Sequence, residues 1–398
     1  MHSPEPVSRW LILFAGAVFA VESGFYAVIP PLIPQLVTDV HLTTTEVGAM
    51  VSAYPAGVLI GAIPSIAMVD RFGVRTTTFA GFGMLIAATL GFAWGSSGWM
   101  LDLARLVQGF GGAVAWAGVL AWLTSTTSPS NRGAVIGAAV GAALIGMVLG
   151  PPLGAVAAHV GRGLVFSGLA VLLAALSIAG PAGAPGSTRA RGSTRALIRL
   201  LRNRRAAVGN GVLCVIGVVG GCTWSLTPLL VNRLQGGSAV IAWILSLGFL
   251  FAAALNVAVG RVSDRLGRLA PTVAGLLVAT PLIGVLPLYQ SLPLLVGTSV
   301  IASTCLAGLW TPTAAMIADA ADPGTASQAV GVASMNAAWA AGGAVGAVLM
   351  AGLADRAGFV LPFMLSAGLL GASAVAAVFL YGRVARTAMR GESTWTSV

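Results

Sequence analysis

Lysine is absent from this 398-residue sequence, and charged residues of every kind make up only 8% of it. Soluble domains carry roughly 25% charged side chains, because a surface facing water must be largely polar. So little charge cannot clothe a soluble globule of this length. The solvent is therefore lipid, with charge needed only where the chain meets water. Cysteine and histidine are equally scarce, at three each. Cys214, Cys222 and Cys305 all fall in apolar stretches, which argues against a disulfide framework, and no ligand set is spaced for zinc. Without lysine there is no glycine-rich phosphate loop of the nucleotide-binding type, and no nucleophile has an associated histidine in a polar site. The expectation is a chain that is not an enzyme, holds no metal and no cofactor, and draws energy from an ion gradient.

What is present is apolar. Hydrophobic residues make up 57% of the chain, in runs of bilayer-spanning length at about 10–33, 45–69, 76–95, 99–123, 133–158 and 163–181, and again at about 206–231, 239–260, 270–289, 293–318, 327–353 and 359–382. The fold class expected is all-α integral membrane, with twelve spans in two six-helix bundles. Residues 1–181 form the first bundle, 182–205 an arginine-rich linker, 206–383 the second bundle and 384–398 a tail. Arg9 followed by an apolar run to Ala20 imitates a secretory signal, but the repeat described next makes it a retained helix. All 21 basic residues are arginine, opposed by 11 acids. With an even number of spans, 17 arginines fall on the side of the termini and linker and three, Arg162, Arg233 and Arg356, on the other. By the positive-inside rule both termini are cytoplasmic. No basic segment is interleaved with base-stacking aromatics, so lipid headgroups rather than nucleic acid are the expected partners of this charge. High alanine and glycine beside an all-arginine basic set suggest a GC-rich bacterial genome and a location in the cell membrane.

One offset recurs along the chain. Pro34 and Pro228, Asp70 and Asp264, Arg71 and Arg265, Gly73 and Gly267, Trp116 and Trp310, Pro129 and Pro323, and Gly137 and Gly331 are each separated by 194 residues. Agreement at equivalent places of successive spans implies duplication, an arrangement that puts a site at the midplane between two halves.

The loop after the second span reads MVDRFGVR, and its repeat reads GRVSDRLGR. At these residues the chain resembles the major facilitator superfamily, whose inside loops carry Gly-x-x-x-Asp-Arg-x-Gly-Arg. Gly260, Asp264, Arg265, Gly267 and Arg268 match throughout; Asp70, Arg71, Gly73 and Arg75 match in a first copy that has Ile66 for the glycine and Val74 for a basic residue. The resemblance implies that both loops latch the halves and govern switching. The fourth span reads LDLARLVQGFGGA, with Arg105 inside the bilayer and Gln108 one turn on. A bare arginine at that depth costs roughly 3 kcal/mol or more, so it needs a polar interior and a partner; the alternative is snorkelling outward with Asp102. The spacing is similar to the motif of proton-driven members, which implies a coupling role for Arg105. In the fifth span Gly137, Gly146, Gly150, Pro151 and Gly154, followed by Ala155 in place of a glycine, look like the antiporter motif of the twelve-helix drug:proton antiporters. Glycines there permit close helix approach and Pro151 a bend.

Glu22 is an acid near the middle of the first span, with Tyr26 one turn away and Pro30, Pro31 and Pro34 beyond. A carboxylate there must be neutral, paired or hydrated, and it serves either as a proton carrier or as a structural hydrogen-bonding group. Tyr26, Gln108, Trp116, Trp224, Trp310, Asn336 and Trp339 are the candidate cavity lining, an aromatic and sparsely polar set suited to a bulky amphipathic molecule. The expected activity is export of a drug-like small molecule against protons by a chain acting as a monomer. Uptake or facilitated diffusion of a small metabolite is the alternative, and a non-transporting membrane receptor or scaffold the remote one.

Overall fold

The computed structural model describes residues 9–127, 132–180, 200, 202–320 and 325–392. Among them all regular structure is helical, as lipid demands of a backbone whose polar groups have no water to bond. The first half comprises α1 (Arg9–Ala27), α2 (Ile33–Val40), α3 (Thr44–Trp94), α4 (Gly98–Thr126), α5 (Arg132–Val160) and α6 (Arg162–Ala179). The second comprises α7 (Arg204–Arg233), α8 (Ser238–Leu266), α9 (Leu269–Val285), α10 (Leu292–Gly308), α11 (Trp310–Ala320), α12 (Thr325–Ala357) and α13 (Val360–Glu392).

Eleven helical segments are long and apolar enough to cross a membrane. One of them, α3, is 51 residues long and makes two crossings, bending at Gly73, so the fold has twelve spans. Gly73 has φ 80° and ψ 166°, and Gly267, 194 residues on, has the same pair of angles. Only glycine adopts that region without strain, so the duplicated loop keeps one backbone solution in both halves. Two expectations shift. The second and third spans are one bent helix rather than two helices parted by a loop. The expected tail from 384 begins as helix, because Arg383, Ala385, Arg386, Ala388 and Met389 are good helix formers with no breaker among them. Residue 181 of the expected first bundle and residues 182–199 and 201 of the expected linker lie outside the described residues; Asn203 caps α7, its side-chain oxygen accepting from the Arg205 amide at 2.9 Å.

Glycine sets the closest helix contacts, and it does so symmetrically. On α5, a Cβ at Gly146 or Gly154 would overlap the carbonyl oxygens of Ala20 and Val28 on the first span, and one at Gly150 would lie 2.7 Å from that of Gly24. In the second half Gly342 and Gly346 of α12 stand in the same relation to Cys214 and Val218 of α7. Without a hydrophobic force between helices in lipid, such backbone approach is what binds them. Gly137 has nothing within 4 Å of its would-be Cβ and takes no part in this seam.

Each half has its own apolar core, Phe14, Val18, Phe82 and Trp122 in the first and Leu213, Leu276, Ile283 and Phe363 in the second. A further cluster, at the face opposite the arginine-rich loops, joins Val28, Ile29, Leu32 and Val47 of the first half to Ala347 and Trp224 of the second. There the start of α3 lies on the end of α12, with Gly48 against Ala347 and Ala351, and Ser246 of α8 donates to the Val148 carbonyl of α5 at 2.8 Å. The first turn of α3 holds a capping box between Thr43 and Glu46, and across the halves the Asp355 carboxylate accepts from the Thr45 amide at 2.7 Å and from its hydroxyl. A carboxylate at a helix N-terminus meets unpaired N–H groups and the positive end of the dipole. Hydrogen bonds to a charged group contribute about 1.5–3 kcal/mol. Asp355→Ala is therefore expected to loosen this seal by about tenfold or more, read as faster alkylation of a cysteine placed at the buried Val51 by an impermeant maleimide; an unchanged rate would remove Asp355 from the seal.

Candidate functional site

The site begins where α1 stops. The helix ends at Ala27, and the carbonyls of its last turn lack the helical partners of those inside it. Arg105 of α4 fills one of these vacancies: its Nη1 donates to the Phe25 carbonyl at 2.9 Å and to Gln108 Oε1 at 2.8 Å. Gln108 Nε2 in turn donates to Thr89 Oγ1 on α3 at 3.1 Å. A cation at a helix C-terminus is favoured by the dipole, and the Arg105 guanidinium also lies over the Tyr54 ring, 4.5 Å from its centroid. These contacts hold the arginine at 1% exposure. It points inward, and Asp102 is not its partner.

Glu22 lies on the other side of Tyr54. Its carboxylate accepts from the Tyr54 hydroxyl and from Trp116 Nε1, the latter at 2.7 Å. Gly112 makes the room: a Cβ there would stand 2.7 Å from Glu22 Oε1. Gly109, one turn earlier on α4, lies beneath the Tyr54 carbonyl. The glycines of the fourth-span motif thus let α4 approach both α1 and α3 closely enough for one carboxylate to bond across all three. Trp116 also lies against Phe19, with ring centroids 3.9 Å apart. Among the described residues, Glu22 and Arg105 are the only charged side chains that are buried.

Above this network Tyr26 crosses to the second half. It stacks on Trp224 of α7 with centroids 4.2 Å apart and planes 24° apart, and meets the edge of Trp339 of α12 at 5.2 Å. Its third neighbour is Tyr54, also at 5.2 Å, and Phe249 of α8 backs Trp224. The aromatic residues expected to line a cavity fill one another's space here, just beneath the sealed face. Trp310 and Asn336 do not join them. Trp310 opens α11 and packs into the apolar core of the second half, and Asn336 is half-buried on α12 with no hydrogen bond to the cluster. Both were selected by span number, which places a residue at a level but not on a face.

Tyr54, Thr89 and Phe249 were missed. Tyr54 is one of only four tyrosines in the chain, and a tyrosine amid the small residues of a span is the signal that would have found it, since its hydroxyl needs a partner when buried.

At the arginine-rich end the two duplicated loops differ. In the second, Arg268 donates to Asp319 at the end of α11 at 3.0 Å and pairs with Asp264, and these bonds hold its guanidinium above its usual pKa. In the first, the position equivalent to Arg268 is Val74, buried in the apolar core, while Arg71 and Arg75 lie over Phe72 and Phe79. Gly260 has open space above it, with Thr311 3.8 Å from a would-be Cβ. Arg265 is exposed and Asp70 half-buried.

Residues 13–232 and residues 210–396 each match the family model of the Major Facilitator Superfamily. Among curated proteins, the chain is 26% identical over 250 residues to an uncharacterized MFS-type transporter, YcaD, of Escherichia fergusonii, covering 61% of this chain and 64% of the relative. It is 24% identical over 257 residues to its namesake in Escherichia coli, with the same coverage. The chain thus spans 64% of the length of the curated relatives it matches. Among solved structures, it superposes with a TM-score of 0.74 on a bacterial homolog of the human lysosomal transporter Spinster in an inward-facing and unoccupied conformation, at 16% identity over 98% of this chain and 99% of that one. The same homolog in its inward-facing and occupied conformation gives a TM-score of 0.74 at 15% identity. With both of its halves matched and its twelve helices arranged as in these structures, this multi-pass membrane protein belongs to the major facilitator superfamily of transporters.

Proposed function

We propose that the protein is a proton-coupled antiporter that exports an amphipathic, drug-like molecule, with Glu22 carrying the proton and the Tyr26–Trp224–Trp339 cluster meeting the cargo. The observation that carries this reading is the isolation of Glu22 and Arg105 as the buried charged side chains among the described residues. Charge at that depth is costly and is retained where it moves ions or binds ligand. The fifth-span glycines support antiport through the resemblance stated above. A cluster built of aromatic faces, with few hydrogen-bonding groups, suits a flat apolar cation better than a sugar.

With the arginine-rich face in the cytoplasm, the seal at the opposite face makes this the inward-open state. The cargo then enters from the cytoplasm and parts Tyr26 from Trp224, and Glu22 exchanges its proton as the halves rock. Expression in a bacterial strain stripped of its own pumps should lower accumulation of ethidium, a flat aromatic cation, and a protonophore should abolish the effect; accumulation that falls equally without a proton gradient would refute antiport. Trp224→Ala should raise the ethidium concentration for half-maximal transport by roughly threefold to tenfold, the loss of one stacking and cation–π partner. An unchanged half-saturation would place the cargo elsewhere.

A further inference from the structure

We infer that Tyr54 is the positioning residue through which opening of the aromatic seal reaches Glu22; the inference rests on the reading of Glu22 as the proton carrier. Among the described residues, no other side chain touches all three parts of the site. The Tyr54 hydroxyl donates to the Glu22 carboxylate, its ring face lies under the Arg105 guanidinium at 4.5 Å, and its ring meets Tyr26 at 5.2 Å. Tyr54 is 2% exposed, so its ring is held by these neighbours while the seal is closed.

The three contacts belong to helices that part company in different ways. Glu22 and Tyr26 are on α1, Arg105 is on α4, and Tyr54 is on α3, which lies against the second half. Pro55, the next residue, touches the would-be Cβ position of Gly343 on α12 at 3.4 Å. Tyr26 is wedged between Tyr54 and two rings of the second half, Trp224 and Trp339. When the halves separate at the sealed face, Trp224 and Trp339 leave with α7 and α12, and α12 withdraws from Pro55. Tyr26 and Tyr54 are then free to turn, and the hydroxyl that held the Glu22 carboxylate turns with them. Trp116 and Gly112 remain, since both are on α4. The carboxylate thus loses one of its donors when the seal opens, so its proton affinity differs between the two states. No covalent bond changes. The proton exchanges between Glu22 and water, and Tyr54 keeps its own.

The ionisable groups facing Glu22 are few: Tyr54 from α3, Arg105 from α4 and Tyr26 from α1 itself. Among the described residues α5, packed on the other side of α1, turns glycines and alanines toward it.

The test is the pH dependence of the conformational equilibrium, which needs no substrate. Spin labels are placed at the exposed Asp39 and Arg356, on opposite halves at the sealed face, in full-length protein with Cys214, Cys222 and Cys305 replaced by alanine. Their distance distribution is followed by pulsed electron resonance across pH 4–9. The wild-type populations are expected to titrate, and Glu22→Gln to flatten the titration. Tyr54→Phe, which keeps the ring over Arg105 and against Tyr26 but lacks the hydroxyl, removes the donor that distinguishes the two states and is expected to lose most of the titration's amplitude. Tyr54→Leu, which loses the ring as well, is expected to show the same loss together with a larger open population at every pH. A Tyr54→Phe curve that superimposes on wild type while Glu22→Gln is flat overturns the role of Tyr54 and leaves Glu22 standing. A wild-type distribution that does not titrate, or a Glu22→Gln variant that titrates as wild type does, overturns the reading of Glu22 and the inference with it. A folding defect alone would lower the melting temperature without reducing the amplitude, and that outcome also counts against the proposal.

Discussion

Glu22→Gln is expected to reach the membrane in normal amounts and to lose pH-gradient-driven transport by 5- to 150-fold, the range spanned by a coupling free energy of about 1–3 kcal/mol. The amide oxygen can still accept from Trp116 Nε1, and the amide nitrogen can donate to the Tyr54 hydroxyl oxygen, so the site stays filled and bonded. What is lost is the ability to take up and release a proton. Ethidium uptake into proteoliposomes shows the effect: wild type responds to an imposed pH gradient, whereas the variant equilibrates the dye at the same slow rate with or without it. A variant as responsive as wild type would leave Glu22 a structural hydrogen-bonding group, the other role open to a buried carboxylate.

Gly146→Val is expected to produce the largest loss of stability in the molecule. Its Cβ would overlap the Ala20 carbonyl, an obstruction made of backbone that no rotamer change relieves. Forcing extra methyl groups into such a seam costs typically 1–3 kcal/mol, occasionally more, so the melting temperature should fall by about 5 °C or more. Because Ala20 is two residues from Glu22, whatever folds should also transport poorly. Gly137→Val belongs to the same sequence motif, yet nothing lies within 4 Å of its would-be Cβ; it should melt within about 1 °C of wild type. Equal effects of the two substitutions, read by fluorescence-detected thermal unfolding in detergent, would mean that the motif acts through something other than contact between α1 and α5.

The twelve spans and their duplication were legible because both depend on patterns that lipid imposes on the chain as a whole. Scarce charge and apolar run length count spans, and the 194-residue offset reappears as two glycines, Gly73 and Gly267, with the same backbone angles. The pairing of Arg105 with Gln108 was legible as well, because three residues along a helix bring side chains together. The second partner of Arg105 was not. The Phe25 carbonyl lies in the last turn of α1, and a sequence hints at where a helix ends without showing which side chain reaches a carbonyl left there. Tyr54 was hidden for a related reason: its importance lies in touching Glu22, Arg105 and Tyr26 at once, and residues so far apart in the chain meet only through helix packing. Trp310 failed as a cavity residue although it is the repeat partner of Trp116. Duplication preserves position in the fold, whereas the partner of Trp116, an acid in the first span, has no counterpart in the second half: the residue 194 beyond Glu22 is Ile216, set in an apolar core. The halves kept one scaffold and came to hold different chemistry.

Proton movement during transport tests the central claim most directly. Purified protein is reconstituted into liposomes containing a trapped pH dye, the membrane potential is clamped with potassium and valinomycin, and ethidium is added outside with no initial pH gradient. Ethidium entering in exchange for protons should raise the internal pH, and Glu22→Gln should abolish the rise. Ethidium entry with the internal pH unchanged, or with acidification, would contradict proton antiport.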